Sequence, residues 1–81
     1  MENNAVKYPC TWNYKIIGLQ KEDLYLVALE IIPKPFTHTL GKESSGGKYK
    51  SLEIAINVEN KQERDSIFQA LQQDSRICFV L

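Results

Sequence analysis

Hydrophobic and polar residues alternate most regularly in KYKSLEIAINVE, residues 48–59. From Leu52 to Val58 every second position is a large apolar residue, which is the pattern of a strand with one buried face. The buried set would be Leu52, Ile54, Ile56 and Val58. The same period of two holds in WNYKIIGLQ, residues 12–20, although Ile17 and Leu19 interrupt it. The inward positions there would be Trp12, Tyr14 and Ile16. These patterns predict strand β1 over 12–20 and strand β3 over 48–59.

Two segments have the period of an amphipathic helix instead. In residues 21–32, KEDLYLVALEII, apolar side chains recur at i, i+3, i+4 and i+7. They are Leu24, Val27, Ala28 and Ile31. Pro33 ends this helix, α1, because proline lacks an amide hydrogen and disfavours helix in the residue before it. Asn60 can cap a second helix, α2, with Glu63 completing a variant of the capping box. The buried stripe of α2 would be Ile67, Phe68 and Leu71.

Two shorter segments complete the predicted architecture. FTHTLGK, residues 36–42, is rich in aromatic and β-branched residues and predicts strand β2, at a sheet edge because prolines precede it. RICFVL, residues 76–81, predicts strand β4. The order β-α-β-β-α-β with short links is that of an α+β, ferredoxin-like fold. Two helices then pack on one face of a four-stranded antiparallel sheet with strand order 4132.

Length and charge restrict the classes of function. A chain of 81 residues predicts a single domain, and residues 1–9 read as a flexible N-terminal arm. Ten Lys and Arg balance ten Asp and Glu, which argues against nucleic-acid binding because such proteins normally carry a basic excess. No segment approaches the roughly 20 apolar residues of a membrane span. We therefore expect a cytoplasmic protein without membrane contact.

The glycine-containing segment SSGGKYKS, residues 44–51, raises the question of phosphate binding. A phosphate-binding loop has the pattern G-x-x-x-x-G-K-[ST] between a strand and a helix. Here the spacing from Gly41 is one residue too long, Tyr49 replaces the Ser or Thr, and a strand follows. The segment is therefore predicted to be a β2–β3 hairpin connection, in which Gly46 and Gly47 supply positive φ angles.

The sheet face away from the helices is the surface through which a fold of this class would bind RNA. On the predicted phase it carries Asn13, Lys15, Tyr49, Ser51, Glu53, Ala55 and Asn57. Only Tyr49 can stack on a base there, and Glu53 would repel phosphate, so the pattern disfavours RNA binding. The opposite phase of β1, which would expose Trp12 and Tyr14, would favour it.

The spacing of the reactive residues does not predict a catalytic site, a metal site or a disulfide. No cluster of Ser, His and acid is indicated, and His38 is the only histidine, so no catalytic residue, metal or cofactor is predicted. If Leu81 lies near Trp12, Cys10 and Cys78 are about 17 Å apart at the usual strand rise. That separation exceeds the reach of a disulfide, so both cysteines are predicted to be free thiols.

Three segments together resemble the YbeD-like family of small bacterial proteins: YPCTWNYKIIG at 8–18, SSGGKYKSLEIAINVE at 44–59, and IFQAL followed by ICFVL at the end of the chain. The family pattern has an aromatic or apolar residue before Pro-Cys or Pro-Thr, here Tyr8, then a glycine closing β1, and S-x-x-G-x-Y at the head of β3. The matching positions here include Gly18, Ser44, Gly47, Tyr49 and Ser51. The resemblance implies a ferredoxin-like fold similar to ACT-type regulatory domains, bacterial cytosolic residence, and no established activity.

These observations favour a non-enzymatic regulatory or protein-interaction module. It would use its open sheet face or its β2 edge against a protein partner, possibly a second copy of itself. A different class of function, sensing of a small amino-acid-like effector, follows from the similarity to ACT-type domains. RNA binding through the open face is a third hypothesis. The candidate interaction residues are Gly18, Ser44, Gly47, Lys48, Tyr49 and Ser51.

Overall fold

The computed structural model describes residues 6–41 and 47–81 and has the predicted order of elements. The elements are β1 (Cys10–Gly18), α1 (Lys21–Ile31), β2 (Thr37–Leu40), β3 (Lys50–Val58), α2 (Lys61–Gln73) and β4 (Phe79–Val80). The sheet has the order β2-β3-β1-β4, and each neighbouring pair is antiparallel. The α+β, ferredoxin-like βαββαβ arrangement with strand order 4132 is confirmed.

The pairing of β1 with β3 confirms which side of β1 is buried. Tyr14 lies opposite Ile54 and Ile16 lies opposite Leu52. Residues directly opposite in an antiparallel pair point to the same face, so all four side chains enter the core. Tyr14 is 2% exposed and Ile16 is fully buried, whereas Trp12 is half-buried. The alternative phase, with Trp12 and Tyr14 on the open face, is wrong.

Helix α1 ends where the prolines predict, but its apolar side chains extend beyond one stripe. It finishes at Ile31, two residues before Pro33. Leu24, Val27 and Ala28 are buried as predicted, while Ile31 is half-buried and the following Ile32 enters the core. Tyr25, Leu26 and Leu29 remain exposed. An apolar surface is therefore left on the outside of α1.

The start of α2 has the predicted cap in a slightly different form. The Asn60 side chain accepts a hydrogen bond from the Glu63 amide over 2.8 Å. Glu63 Oε1 accepts from the Glu59 amide over 2.7 Å, so the glutamate reaches one residue further back than in the standard capping box. The Glu59 amide and the Lys34 ammonium, 3.0 Å from Glu63 Oε2, lower the pKa of the Glu63 carboxyl.

We expect Asn60→Ala to lower the free energy of unfolding by about 1 kcal/mol, because the Glu63 amide loses its only side-chain acceptor at the cap. Urea denaturation measures this change. Asn57→Ala is the matched control, since the exposed Asn57 side chain lies within β3. Equal losses in the two variants would contradict a capping role for Asn60.

The two outer strands are shorter than predicted. β2 has four residues, with Phe36 preceding it, and position 42 lies outside the described residues. β4 has two residues, because Asp74 accepts a hydrogen bond from the Arg76 amide in a turn and Ile77 is buried before the strand begins. The connection between α2 and β4, residues 74–78, thus includes residues 76–78, which the pattern assigned to the strand.

The register of β4 also differs from the prediction. Leu81 exchanges backbone hydrogen bonds with Lys15, at 2.8 and 3.0 Å, instead of lying beside Trp12. The Cys78 amide donates to the Ile17 carbonyl over 2.7 Å, at the opposite end of β1 from Cys10. Both cysteines are free thiols, as predicted.

The segment before β1 takes part in the core where it is described. Tyr8, which falls within the predicted N-terminal arm, is half-buried and packs against the hydrophobic core. Residues 1–5 lie outside the described ranges. The packed structure therefore extends at least two residues before β1.

Candidate functional site

On the sheet face that carries the helices, β2 is the strand that the helices cover least. Because β2 is outermost and pairs only with β3, its side chains follow the facing of β3. His38 lies opposite Ile54 and Leu40 opposite Leu52, so both point to the side that carries the helices. Helix α1 packs over β3 and β1. His38 and Leu40 are consequently exposed, Leu40 at 57%.

A groove runs between α1 and β2, and we call it the α1–β2 groove. Its centre is formed by Tyr25, Leu26, His38, Leu40 and Leu52, around a hollow of about 440 Å³. It continues toward the proline segment as a second hollow, which Leu29 and Phe36 help to line. The His38 ring lies 4.8 Å from the Tyr25 ring and 6.2 Å from the Phe36 ring, measured between centroids.

Exposed apolar side chains are concentrated in this groove. Over residues 6–41 and 47–81, eight large hydrophobic residues are exposed, and half of them line it. They are Tyr25, Leu26, Leu29 and Leu40. The charged residues that border it, Lys21 and Glu22 at one end and Lys34 at the other, leave its centre uncharged. Such a surface is suited to another apolar surface.

The backbone of β2 adds hydrogen-bonding groups to the same groove. The Gly41 amide donates to the Ser51 carbonyl over 2.9 Å, so the backbone hydrogen-bonding groups of Gly41 point toward β3. In antiparallel pairs, successive residues direct their amide and carbonyl to alternate sides. The backbone groups of Thr39 therefore also point toward β3, whereas the amide and carbonyl groups of His38 and Leu40 point away from the sheet. The groove borders a strand edge open to a further strand.

The described candidate residues predicted from the sequence lie around the start of β3 and do not line the α1–β2 groove. Gly18 is buried opposite Lys50, and Ser51 is 5% exposed. Gly47 has φ 71°, in agreement with the predicted hairpin, and its carbonyl accepts from Lys50 Nζ at 2.5 Å. Ser44 and Gly46 lie outside the described residues. Of these candidates, Lys48 and Tyr49 present the most accessible side chains.

Tyr49 is joined on the open sheet face by an aromatic residue that the sequence reasoning missed. Phe79 lies opposite Ile17, which lies opposite Ser51, so all three point to the open face. The Phe79 and Tyr49 rings are 6.1 Å apart and inclined by 62°, and Lys48 Nζ lies 5.2 Å from the Tyr49 ring. The edge-to-face packing holds the rings against each other, and does not leave two parallel faces for stacked bases.

The charged rim near the end of α2 is tied together by Arg76. Its guanidinium lies 2.8 Å from Asp74 Oδ2 and 2.7 Å from Glu30 Oε1. Hydrogen bonds from Arg76 lower the pKa of Asp74 to about 2, and both carboxylates raise the pKa of the Arg76 guanidinium. These contacts form an ion-pair cluster that joins α1 to the turn after α2.

Across residues 6–41 and 47–81, no three His, Cys, Asp or Glu side chains are placed to hold a metal ion. Burial raises the pKa of Tyr14 to about 12, and its hydroxyl donates to the Arg64 carbonyl at 2.5 Å, which joins β1 to α2. Neither helix in these ranges has the length and apolar character of a membrane span.

The chain is similar to small bacterial proteins without a described activity. It is 32% identical over 74 residues to an uncharacterized protein of Helicobacter pylori strain J99, covering 90% of this chain and 86% of the relative. It is 28% identical over 75 residues to the UPF0250 protein plu1293 of Photorhabdus laumondii, covering 85% of this chain and 83% of that one.

Solved structures agree with the fold over the whole chain. A solution structure of protein HP0495 from Helicobacter pylori superposes with a TM-score of 0.83 and 29% identity, covering 99% of this chain and 89% of the other. A second solution structure of HP0495 gives a TM-score of 0.66 at 30% identity, with full coverage of both chains.

A family model also matches almost the complete sequence. It is described as "Protein of unknown function (DUF493)" and matches residues 3–81. The UPF0250 relatives agree with the resemblance to YbeD. The chain therefore belongs to the DUF493 family of small uncharacterised bacterial proteins, which includes the UPF0250, or YbeD-like, proteins.

Proposed function

We propose that the protein is a non-enzymatic interaction module that binds an extended protein segment in the α1–β2 groove. The observation that carries this proposal is the coincidence of two features in one place. Four exposed apolar side chains line the groove, and the outward amide and carbonyl groups of His38 and Leu40 border it. A strand added beside β2 would use both features at once.

Strand addition suits this geometry for a simple reason. An added strand forms backbone hydrogen bonds with the sheet edge, and every second side chain of that strand points to the groove side. Those side chains would contact Leu26 and Leu40, while the intervening side chains would lie beside Thr39 on the open face. The proposed partner segment is thus an extended peptide with apolar residues at alternate positions.

The non-enzymatic part of the proposal rests on the side chains near the groove. His38 is its only histidine, and the ring contacts of His38 are aromatic, with Tyr25 and Phe36. A catalytic imidazole is normally oriented by an acid or placed within hydrogen-bond reach of a nucleophile. An imidazole packed between aromatic rings fits a binding surface better.

We expect Leu40→Lys to weaken peptide binding about tenfold or more, because it places a charge in the apolar centre of the groove. The probe is a set of random 12-residue peptides displayed on phage and selected on the immobilised wild-type protein. Enriched peptides should have apolar residues at i and i+2. Their affinities for wild type and variant are then compared by fluorescence anisotropy.

Leu19→Lys is the matched control, since Leu19 is 51% exposed against 57% for Leu40 and does not line the groove. Its affinity for the same peptides should stay within about twofold of wild type, the range of a residue outside the contact. Selected peptides that lose equal affinity in both variants, or that shift the amide resonances of Tyr49 and Phe79 instead of those of His38 and Leu40, would refute the proposal.

Sensing of a small amino-acid-like effector stays a prediction from the resemblance to ACT-type domains. Around the hairpin, Gly18 and Ser51 are buried, so an effector would contact mainly Lys48 and Tyr49. The groove gives a regulatory domain of either kind a surface through which it can act on another protein.

A further inference from the structure

We propose that the segment bound in the α1–β2 groove is the β2 strand of a second copy of this chain. The two β2 strands would pair antiparallel about a two-fold axis and join the two sheets into one of eight strands. This inference rests on the proposed function, since it names the partner of the same groove. It makes each groove incomplete until the second copy supplies its Leu40.

The symmetry restricts the possible registers to a few. An axis perpendicular to the sheet keeps the helices of both copies on the same side, where both grooves lie. Residues directly opposite must then have the same facing, so the axis passes between a residue and its own equivalent. Within β2 the central choices are His38 and Thr39.

Hydrogen bonding and packing favour the register centred on Thr39. In that register His38 lies opposite Leu40 of the second copy, and both residues direct their amide and carbonyl groups outward. The outward amide and carbonyl groups of each His38 then form hydrogen bonds with those of Leu40 in the other copy, which gives two equivalent pairs. Leu40 of the second copy would cover the His38 ring and the centre of the groove. A register centred on His38 would instead place two imidazoles against each other.

The composition of β2 is consistent with such pairing. Edge strands of monomeric proteins are usually protected by a charged residue, a proline or a bulge. The sequence of β2 is THTL, with four exposed residues and none of these devices within the strand. Because the charged residues border only the ends of the groove, the axis brings no like charges together at its centre.

Cysteine cross-linking distinguishes this register from random contact. Thr39 and its equivalent would form a non-hydrogen-bonded pair, with Cα atoms about 4.5 Å apart, within the range of a disulfide. In a Cys10→Ala, Cys78→Ser background, Thr39→Cys should form a disulfide-linked dimer under mild glutathione oxidation. Thr37→Cys, on the same face of the same strand, would lie opposite Gly41 and is the matched control.

We expect the cross-linked fraction for Thr39→Cys to exceed that for Thr37→Cys about tenfold or more at equal protein concentration, because only its thiols are held together. In about 8 M urea, which unfolds the protein, the difference in cross-linked fraction between the two variants should vanish. Light scattering on the wild-type protein should show a mass that rises from one chain toward two with concentration, and Leu40→Lys should stay at one.

Three results would overturn the inference: equal cross-linking of the two variants, cross-linking only when they are mixed, or a wild-type protein that keeps the mass of one chain at millimolar concentration. The last result would leave the proposed function standing if selected peptides still bound the groove and lost affinity with Leu40→Lys. A wild-type protein that keeps the mass of one chain and also binds no selected peptide in the groove would remove both proposals.

Discussion

Leu24→Ala is expected to lower the free energy of unfolding by about 3 kcal/mol, the typical cost of removing a fully buried leucine side chain. Leu24 is 0% exposed at the first turn of α1 and contacts the end of β1. Its truncation leaves a cavity between the helix and the sheet. A small domain has a total stability on the order of 5–15 kcal/mol, so this single change would remove a large part of it.

Urea denaturation followed by circular dichroism measures this loss. Leu26→Ala is the matched control, because Leu26 lies two residues away on the same helix and is 46% exposed. Its truncation should cost less than about 1 kcal/mol in the monomer. Similar losses in both variants would mean that α1 is not docked through Leu24.

Gly18→Ala is expected to cost about 2 kcal/mol through overpacking. A Cβ atom at this position would lie 2.7 Å from the Arg76 carbonyl oxygen and 2.9 Å from Leu24 Cδ2. The first contact is with backbone and cannot be relieved by a change of rotamer. The glycine at the end of β1 thus allows the turn before β4 to approach the strand closely.

A double-mutant cycle with Leu24→Ala separates the two contacts of Gly18. Removing the leucine side chain should recover part of the cost of Gly18→Ala, and the clash with the Arg76 carbonyl should preserve the rest. A Gly18→Ala protein with unchanged stability but altered binding of a small effector would instead support the prediction that Gly18 belongs to an interaction site.

The sequence predicted the elements of this fold well because burial on one face leaves a clear period. The alternation at Tyr14 and Ile16 correctly gave the facing of β1, and Pro33 correctly gave the end of α1. The lengths of the outer strands were less accurate. The turn between Asp74 and Arg76 and the burial of Ile77 depend on tertiary contacts, which local pattern does not encode.

The register of β4 explains why Phe79 is absent from the residues that the sequence predicted on the open face. Pairing Leu81 beside Trp12 would place Phe79 opposite Tyr14, in the core. The observed pairing of Leu81 with Lys15 is shifted by three residues, and an odd shift moves every side chain of a strand to the other face. Phe79 therefore lies on the open face, next to Tyr49.

The α1–β2 groove was not predicted, although part of its signal is present in the sequence. Tyr25, Leu26 and Leu29 are apolar residues outside the buried stripe of α1, and a helix with so broad an apolar surface often has a second contact. What the pattern could not show is that α1 packs over β3 and β1 and leaves His38 and Leu40 of β2 uncovered.

The fluorescence of Trp12 can report the docking of α2 on the sheet. It is the single tryptophan of the chain, and the Arg64 guanidinium lies 4.4 Å from its ring. Its intrinsic fluorescence therefore reports the contact between β1 and α2, on the side of the sheet away from β2. Emission from Trp12 can follow unfolding without a label, while events at the α1–β2 groove need a probe of their own.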